Sequence, residues 1–132
     1  MLMGEGRKVL IVDDAPWVSD TLAVIFSTSG FEATAVHSAE EALTSFEQSM
    51  PSLAIIDVML PKMNGVDLAI HIADNYPLTR VLLFSGQALA FDLVEQAAER
   101  GYLFELVPKP IHPNLMLSRA TRMLSMWKMP AE

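Results

Sequence analysis

At 132 residues, 52% of them hydrophobic and 19% charged, the chain is predicted to be one ordered domain over residues 1–132, with its core at about residues 8–127 and no output domain. Its net charge of −7 argues against a nucleic-acid-binding surface, which requires clustered Lys and Arg. The lack of cysteine excludes disulfides and thiolate sites, and the lack of a long apolar run or signal peptide predicts a cytoplasmic protein without a membrane segment.

The first predicted elements are a strand, a helix and a second strand. Residues 9–12 are an unbroken apolar run, which is typical of a strand buried on both faces. Pro16 suits the first turn of the following helix, and Gly30 is a natural residue at its end. Residues 31–36 fit the second strand.

A capping pattern begins the next helix. Ser38 followed by Glu41 resembles a capping box, and Pro51 ends the helix that it opens. Residues 53–56 form another fully apolar strand, which leads directly into Asp57.

The second half of the chain continues the alternation of helix and strand. A helix is predicted over about residues 66–75, a strand over 81–84, a helix over 88–100, a weaker strand over 102–107 and a last helix over 113–127. The inner face of that last helix is predicted to comprise Met116, Ala120, Met123, Leu124 and Trp127. Five strands alternating with five helices predict an α/β fold with a parallel sheet covered on both sides.

Polar residues follow the apolar runs directly. Asp13 and Asp14 follow the first strand, Asp57 the third and Ser85 the fourth, and Lys109 comes soon after the fifth. Because ligands of open parallel sheets bind beyond the carboxyl ends of the strands, these five residues form a candidate site.

The residue types at this edge suit phosphoryl transfer. Three neighbouring carboxylates repel one another unless one is protonated or a cation lies among them. Oxygen ligands without His or Cys favour Mg²⁺ or Mn²⁺, which also accept phosphate oxygens. A carboxylate can act as the nucleophile, while the cation and Lys109 neutralise the transferred phosphoryl group.

Four motifs in this order resemble the receiver domain of bacterial two-component response regulators, in particular the chemotaxis regulators. They are VLIVDD (residues 9–14), IIDVMLPKMNG (55–65), LLFSG (82–86) and PKP (108–110), and the resemblance covers residues 8 to about 127. It implies a doubly wound, flavodoxin-like three-layer sandwich with strand order 2-1-3-4-5. It also implies a phosphoacceptor signalling domain in a phosphorelay and not a conventional enzyme.

The resemblance implies a role for each matched residue. Asp57 corresponds to the phosphoacceptor, Asp14 binds Mg²⁺ directly, and Asp13 acts largely through water. The backbone carbonyl of Met59 completes the metal site.

The same resemblance assigns the groups that meet the phosphoryl group, and it shows one departure. Ser85 corresponds to the hydroxyl that bonds the phosphoryl group and Lys109 to its cationic partner, with a cis peptide bond before Pro110. Leu106 stands where the family usually has an aromatic residue that moves on activation.

The implied partners are a sensor histidine kinase or phosphotransfer protein and a downstream target, or an output domain outside this chain. The signalling surface would be formed by the fourth helix, fifth strand and fifth helix, and a homodimer through that face is one arrangement that the resemblance allows.

Other interpretations remain open from the residues alone. Asp13, Asp14 and Asp57 are also residue types that favour helix starts and turns. A receiver-like interaction module that works without phosphorylation is an alternative, which Leu106 keeps open. An enzyme that binds a flavin or nucleotide on the same sheet is disfavoured, because no G-x-G-x-x-G or Walker pattern follows a strand.

Overall fold

The structure, a computed structural model, describes residues 6–126. The strands in this range are β1 (Lys8–Val12), β2 (Glu32–Val36), β3 (Leu53–Asp57), β4 (Arg80–Ser85) and β5 (Glu105–Pro108). The helices are α1 (Pro16–Thr28), α2 (Ala39–Gln48), α3 (Gly65–Asn75), α4 (Leu89–Glu99) and α5 (Pro113–Met126). None of the helices within residues 6–126 has the length and apolar content that a bilayer crossing requires.

The described strands form one parallel sheet in the order β2-β1-β3-β4-β5, which confirms the predicted fold class. The order reverses between β1 and β3, so the carboxyl ends of these two central strands meet at the switch point of the sheet. In the register, Asp57 lies beside Phe84, and Ser85 lies beside Pro108. The polar residues that end β1, β3 and β4 are therefore brought to one edge.

Two apolar clusters cover the two faces of the sheet. Alternate residues of β3 point to opposite faces, so Ala54 and Ile56 belong to the cluster beneath α2, α3 and α4, whereas Leu53 and Ile55 belong to the cluster beneath α1 and α5. All four side chains are fully buried. A strand buried on both faces explains the unbroken apolar run that ends at Asp57.

The predicted inner face of α5 is confirmed over the part of the helix whose side chains are described. Met116, Ala120 and Leu124 are buried in the α1–α5 cluster, and Met123 packs against it. The predicted packing of Trp127 lies outside the described residues.

Helix α2 begins with half of the predicted capping box. The Ser38 hydroxyl accepts a hydrogen bond from the Glu41 backbone N–H at 3.1 Å. The Glu41 carboxylate, however, accepts from the backbone N–H of His37 and not from that of Ser38. The cap therefore extends one residue further back than the pattern predicts.

Strand β5 begins later than its aromatic composition predicts. The backbone N–H of Tyr102 donates to the Ala97 carbonyl and so closes the end of α4. The Tyr102 hydroxyl donates to both Asp74 oxygens, and its ring stacks on Phe104 with centroids 6.4 Å apart. Residues 102–104 are thus held by turn and side-chain contacts, and the ladder with β4 starts at Glu105.

Candidate phosphoacceptor site

Three side chains at the strand ends bond locally in the same way. Asp13 Oδ1 accepts from the Ala15 backbone N–H at 2.9 Å, and Asp57 Oδ1 accepts from the Met59 N–H at 3.0 Å. Ser85 Oγ accepts from the N–H two residues further on, at Gln87, at 3.1 Å. Each bond fixes the side chain against its own loop, as Asp and Ser side chains do in turns. The interpretation of these residues as turn residues therefore explains these local bonds.

The second carboxylate oxygens have a different partner. Lys109 Nζ donates to Asp13 Oδ2 at 2.9 Å and to Asp57 Oδ2 at 3.1 Å. The side chains of Asp13 and Asp57 are 1% and 8% exposed, and that of Lys109 is 25% exposed. A local turn does not require such a shared cation. The contacts therefore unite residues from three separate loops into one charged cluster.

Lys109 is held in place by its backbone and by an aromatic ring. Its N–H donates to the Ser85 carbonyl at 2.8 Å, and the Lys109–Pro110 peptide bond is cis, as predicted. Its Nζ lies 4.4 Å from the centroid of the Phe84 ring, within cation–π range. Phe84 had no predicted role, although its position before Ser85 and beside Asp57 in the register is the signal that identifies it.

The surroundings of Asp57 and Lys109 shift their proton affinities. Burial raises the pKa of Asp57; the Met59 N–H and the Lys109 charge oppose this rise, and the Asp13 charge adds to it. Burial tends to lower the pKa of Lys109, but hydrogen bonds and attraction to Asp13 and Asp57 outweigh it, and the net pKa is raised. A second cation near Asp57 would favour its ionised form.

The three predicted acidic residues are close enough to share such a cation. Asp13, Asp14 and Asp57 can each offer a carboxylate oxygen, and these oxygens lie within 4.8 Å of one another. Asp13 and Asp57 are buried, whereas Asp14 is exposed. Clustered hard oxygen donors fit a divalent cation such as Mg²⁺ that keeps part of its water shell.

The loop after β3 is tightly packed beneath Asp57. The Gly65 N–H donates to the Val58 carbonyl at 2.6 Å, and the Val58 N–H donates to the Phe84 carbonyl at 3.0 Å. A Cβ placed on Gly65 would lie 2.2 Å from the Asp57 carbonyl oxygen and 2.8 Å from Val58 Cα. Glycine is therefore required here for close approach of two backbone segments.

The loop after β4 leaves more room. Gly86 is exposed, and a Cβ there would lie 3.6 Å from Lys109 Cβ, which is ordinary contact. Met59 and Gln87 are also exposed at this edge of the sheet.

Leu106 lies in β5 beside Leu83 of β4 and is partly buried in the α2–α3–α4 cluster. The nearest aromatic side chains before it in the chain are Phe104 and Tyr102, and Tyr102 is bonded to Asp74 of α3. The aromatic residue expected of the family is thus replaced by an aliphatic side chain on the strand itself.

An apolar groove of about 250 Å³ adjoins Lys109. Trp17 of α1 forms one wall, and Pro110, Ile111 and Pro113 form the other. Trp17 is 77% exposed. No role or burial was predicted for Trp17 from the sequence.

Comparison with known proteins identifies a family. The family model described as response regulator receiver domain matches residues 9–121. The chain is 27% identical over 113 residues to the chemotaxis protein CheY of Thermotoga maritima, covering 83% of this chain and 90% of CheY. It is 28% identical over 116 residues to the DNA-binding response regulator MtrA of Mycolicibacterium smegmatis, covering 86% of this chain but 48% of MtrA. The chain therefore spans about half the length of MtrA.

Solved structures of receiver domains are also similar to this chain. A CheY-like receiver domain protein from Methanospirillum hungatei JF-1 has a TM-score of 0.83 and 25% identity, with 91% of this chain and 94% of that chain covered. The receiver domain of NtrX from Brucella abortus has a TM-score of 0.78 and 26% identity, with 90% and 99% covered.

Proposed function

The chain belongs to the response regulator receiver domain family of two-component phosphorelay systems, and we propose that Asp57 is its phosphoacceptor, in a reaction that depends on Mg²⁺. The observation that carries the proposal is the cluster in which Lys109 joins Asp57 to Asp13 beside the third carboxylate, Asp14. These residues come from three loops. They place the nucleophile Asp57 beside one fixed cation, Lys109, and beside carboxylates that can bind a metal cation.

The proposed reaction is a phosphoryl transfer to the Asp57 carboxylate. An Asp57 oxygen forms the new bond to phosphorus while the bond from phosphorus to the donor nitrogen or oxygen breaks, and the electron pair leaves with the donor. Lys109 compensates the negative charge on the transferred oxygens, and the Ser85 hydroxyl donates to one of them. Backbone hydrogen bonds hold the loops that carry both groups, so the reaction requires their side chains to move toward the phosphoryl group without the loops having to be assembled first.

The metal ligands in this proposal are Asp13, Asp14, Asp57 and the backbone carbonyl of Met59. A bound Mg²⁺ would supply positive charge to the phosphoryl oxygens and lower the repulsion between the donor and the acidic cluster. The raised pKa of Asp57 agrees with this role, because the carboxylate lacks full compensation from Lys109 alone.

The proposed donors are a sensor histidine kinase or a phosphotransfer protein in the cytoplasm. Phosphorylation would draw Ser85 and Lys109 toward the phosphoryl group and shift the equilibrium of the α4-β5-α5 surface, which signals to a target protein or to an output domain outside this chain. A nearly complete switch requires a preference of about 5 kcal/mol for the active arrangement. The chain would act as a signalling domain that assists its own phosphorylation and dephosphorylation.

One observation favours a second candidate, an interaction module that works without phosphorylation. Leu106 replaces the aromatic residue, and Tyr102 is engaged with Asp74 at the opposite end of β5. The ring movement usual in the family therefore has no counterpart at residue 106. The complete acidic cluster argues for the phosphorylated switch as the first candidate.

Intact mass spectrometry tests the proposal. The protein is incubated with Mg²⁺ and a small acyl phosphate, and we expect the mass of one phosphoryl group to be added. Asp57→Asn, a near-isosteric change that removes the nucleophile, should abolish this addition, and EDTA should prevent it. Asp92→Asn, at an exposed aspartate of α4, is the matched control and should be modified like wild type.

The outcomes separate the two candidates. If folded wild-type protein with Mg²⁺ stays unmodified, the phosphoacceptor proposal fails and the phosphorylation-independent module becomes the leading account. Modification of Asp57→Asn to the same extent as wild type would show that another residue accepts the group.

A further inference from the structure

Phe84 lies between the loop that carries Asp57 and the loop that carries Lys109. In the register of the sheet it pairs with Asp57 of β3. Its carbonyl accepts from the Val58 N–H at 3.0 Å, and the next carbonyl, that of Ser85, accepts from the Lys109 N–H at 2.8 Å. The backbone at the end of β4 therefore fixes both loops in position.

The side chain of Phe84 meets the same lysine. Lys109 Nζ lies over the Phe84 ring, 4.4 Å from its centroid, while it donates to Asp13 and Asp57. A lysine ammonium has three N–H donors, and these two carboxylates account for two of them. Phe84 is 1% exposed, and a ring attracts a cation more strongly in a poorly hydrated site than at the surface. The ring is thus a third partner of the ammonium.

This third partner tolerates movement better than the carboxylates do. A hydrogen bond weakens steeply when its angle changes, whereas a ring attracts a cation over its face within about 6 Å of the centroid. Because Nζ is at 4.4 Å, it can move across the ring toward a phosphoryl oxygen and stay in this range. The ring also remains available when the oxygens of Asp13 and Asp57 bind a metal ion and no longer accept from Lys109.

The other side chains beside the ring do not provide such a partner. Phe84 and Lys109 both line the apolar groove of about 250 Å³, together with Leu22 and Ile111. The side chains of Leu22 and Ile111 have no hydrogen-bond acceptor and no negative face. A leucine at residue 84 would fill much of the space of the ring but would offer the ammonium nothing in its place.

We propose that Phe84 is a positioning residue for phosphoryl transfer to Asp57, because its ring holds the Lys109 ammonium at the cluster while the acceptors of that ammonium change. The inference rests on the proposed function of Asp57. Phe84 acts through Lys109 and not through contact with the phosphoryl group. Without the ring, the nucleophile and the acidic ligands remain, but the ammonium lies near the transferred oxygens less often, and the reaction slows.

Nuclear magnetic resonance of the full chain in EDTA, without a phosphodonor, tests the contact itself. Protons over a ring face resonate upfield, so the ε-methylene protons of Lys109 should lie upfield of those of the exposed Lys62. The loss of a signal in Lys109→Gln identifies it. Phe84→Leu should return the signal to the Lys62 position. Phe26→Leu, which removes a buried ring of the same apolar cluster in the last turn of α1, should leave it unchanged.

The rate of phosphorylation by a small acyl phosphate at saturating Mg²⁺ tests the positioning. A trifluorinated phenylalanine, inserted at residue 84 alone, keeps nearly the shape of the ring but removes most of the negative charge of its face. The rate should fall about three- to tenfold, the range expected for a partly buried cation over a ring, and at least as far in Phe84→Leu. A monofluorinated ring should give an intermediate loss. The trifluorinated residue at Phe26 is the matched control and should leave the wild-type rate.

Three results would overturn the inference. The Lys109 protons could lie at the Lys62 position in wild type, which would show that the ring and the ammonium are not in contact. The fluorinated ring at residue 84 could leave the wild-type rate, which would show that Phe84 only fills the core; this variant keeps the packing and decides the question even where Phe84→Leu fails to fold. Wild type could show the upfield shift but take up no phosphoryl group, which would overturn the proposed function of Asp57 itself and leave the contact established.

Discussion

The loops that follow β3 and β4 meet at the same edge of the sheet but are built differently. After β3, the chain is compressed: Gly65 lies so close to Asp57 and Val58 that even a methyl group cannot be accommodated. After β4, Ser85 and Gly86 are followed by exposed residues, and a Cβ on Gly86 would make only ordinary contact with Lys109. The β3 loop positions the candidate nucleophile rigidly, whereas the β4 loop has space to move.

This difference fits the division of tasks in the proposed switch. A nucleophile gains from a fixed position, because misplacement of the reacting atom slows the reaction. The groups that respond to a new phosphoryl group must change position, and they require a region that is less densely packed. The following changes test how sharp the contrast is.

The largest effect is expected from adding a methyl group to each loop. Gly65→Ala should lower the free energy of unfolding by about 3 kcal/mol or more, because the backbone of Asp57 and Val58 must shift. Gly86→Ala should change it by less than about 0.5 kcal/mol. Urea unfolding followed by circular dichroism measures both. Similar losses in the two variants would contradict the contrast.

Replacing a leucine by phenylalanine in β4 and in β5 compares how tightly these two neighbouring strands are packed. Leu83 is fully buried and pairs in register with Leu106, which is partly buried. Leu83→Phe should cost about 1–3 kcal/mol through overpacking, and Leu106→Phe less than about 1 kcal/mol. Thermal unfolding of both variants checks this order, and a greater loss for Leu106→Phe would show that β5 is the more constrained strand.

Removing the cation that joins the loops should have an intermediate effect. In EDTA, Lys109→Gln should lower the free energy of unfolding by about 1–2 kcal/mol, since Asp13 and Asp57 lose their shared donor while partial exposure limits the cost. Added Mg²⁺ should restore part of this loss. The control Lys62→Gln removes an exposed ion pair with Glu40 and should be close to neutral. A neutral Lys109→Gln would mean that the cluster adds nothing to stability.

The smallest effect concerns the pH dependence of stability in EDTA. Because the pKa of Asp57 is raised in the folded chain, its ionisation reduces stability as the pH rises through the folded-state pKa. Asp57→Asn lacks this loss and should be the more stable protein at pH 7. The difference in stability between Asp57→Asn and wild type should shrink as the pH falls below the ordinary carboxyl range, where Asp57 is protonated in both the folded and the unfolded state. Melting temperatures at several pH values measure it, and an Asn variant less stable than wild type at pH 7 would reverse the sign.

The sequence by itself determined the order of the elements and the edge at which the polar residues gather. Apolar runs, helical spacing and the positions of Pro and Gly are local signals, so strands such as β3 and the residue that follows them were identified from the chain alone. The position of β5 was less accurate, because Tyr102 and Phe104 favour a strand by composition. In the structure Tyr102 instead bonds to Asp74 of α3 and Ala97 of α4, and its ring stacks on Phe104.

Tertiary structure alone decided which of these residues touch. Lys109 lies 96 and 52 residues along the chain from the carboxylates that it joins, and no local pattern specifies such distances. The compression at Gly65, the ring of Phe84 beneath Lys109 and the exposure of Trp17 likewise depend on how separate segments pack. Local sequence sets backbone preferences, whereas contacts between distant segments arise from the register of the sheet and the filling of its two cores.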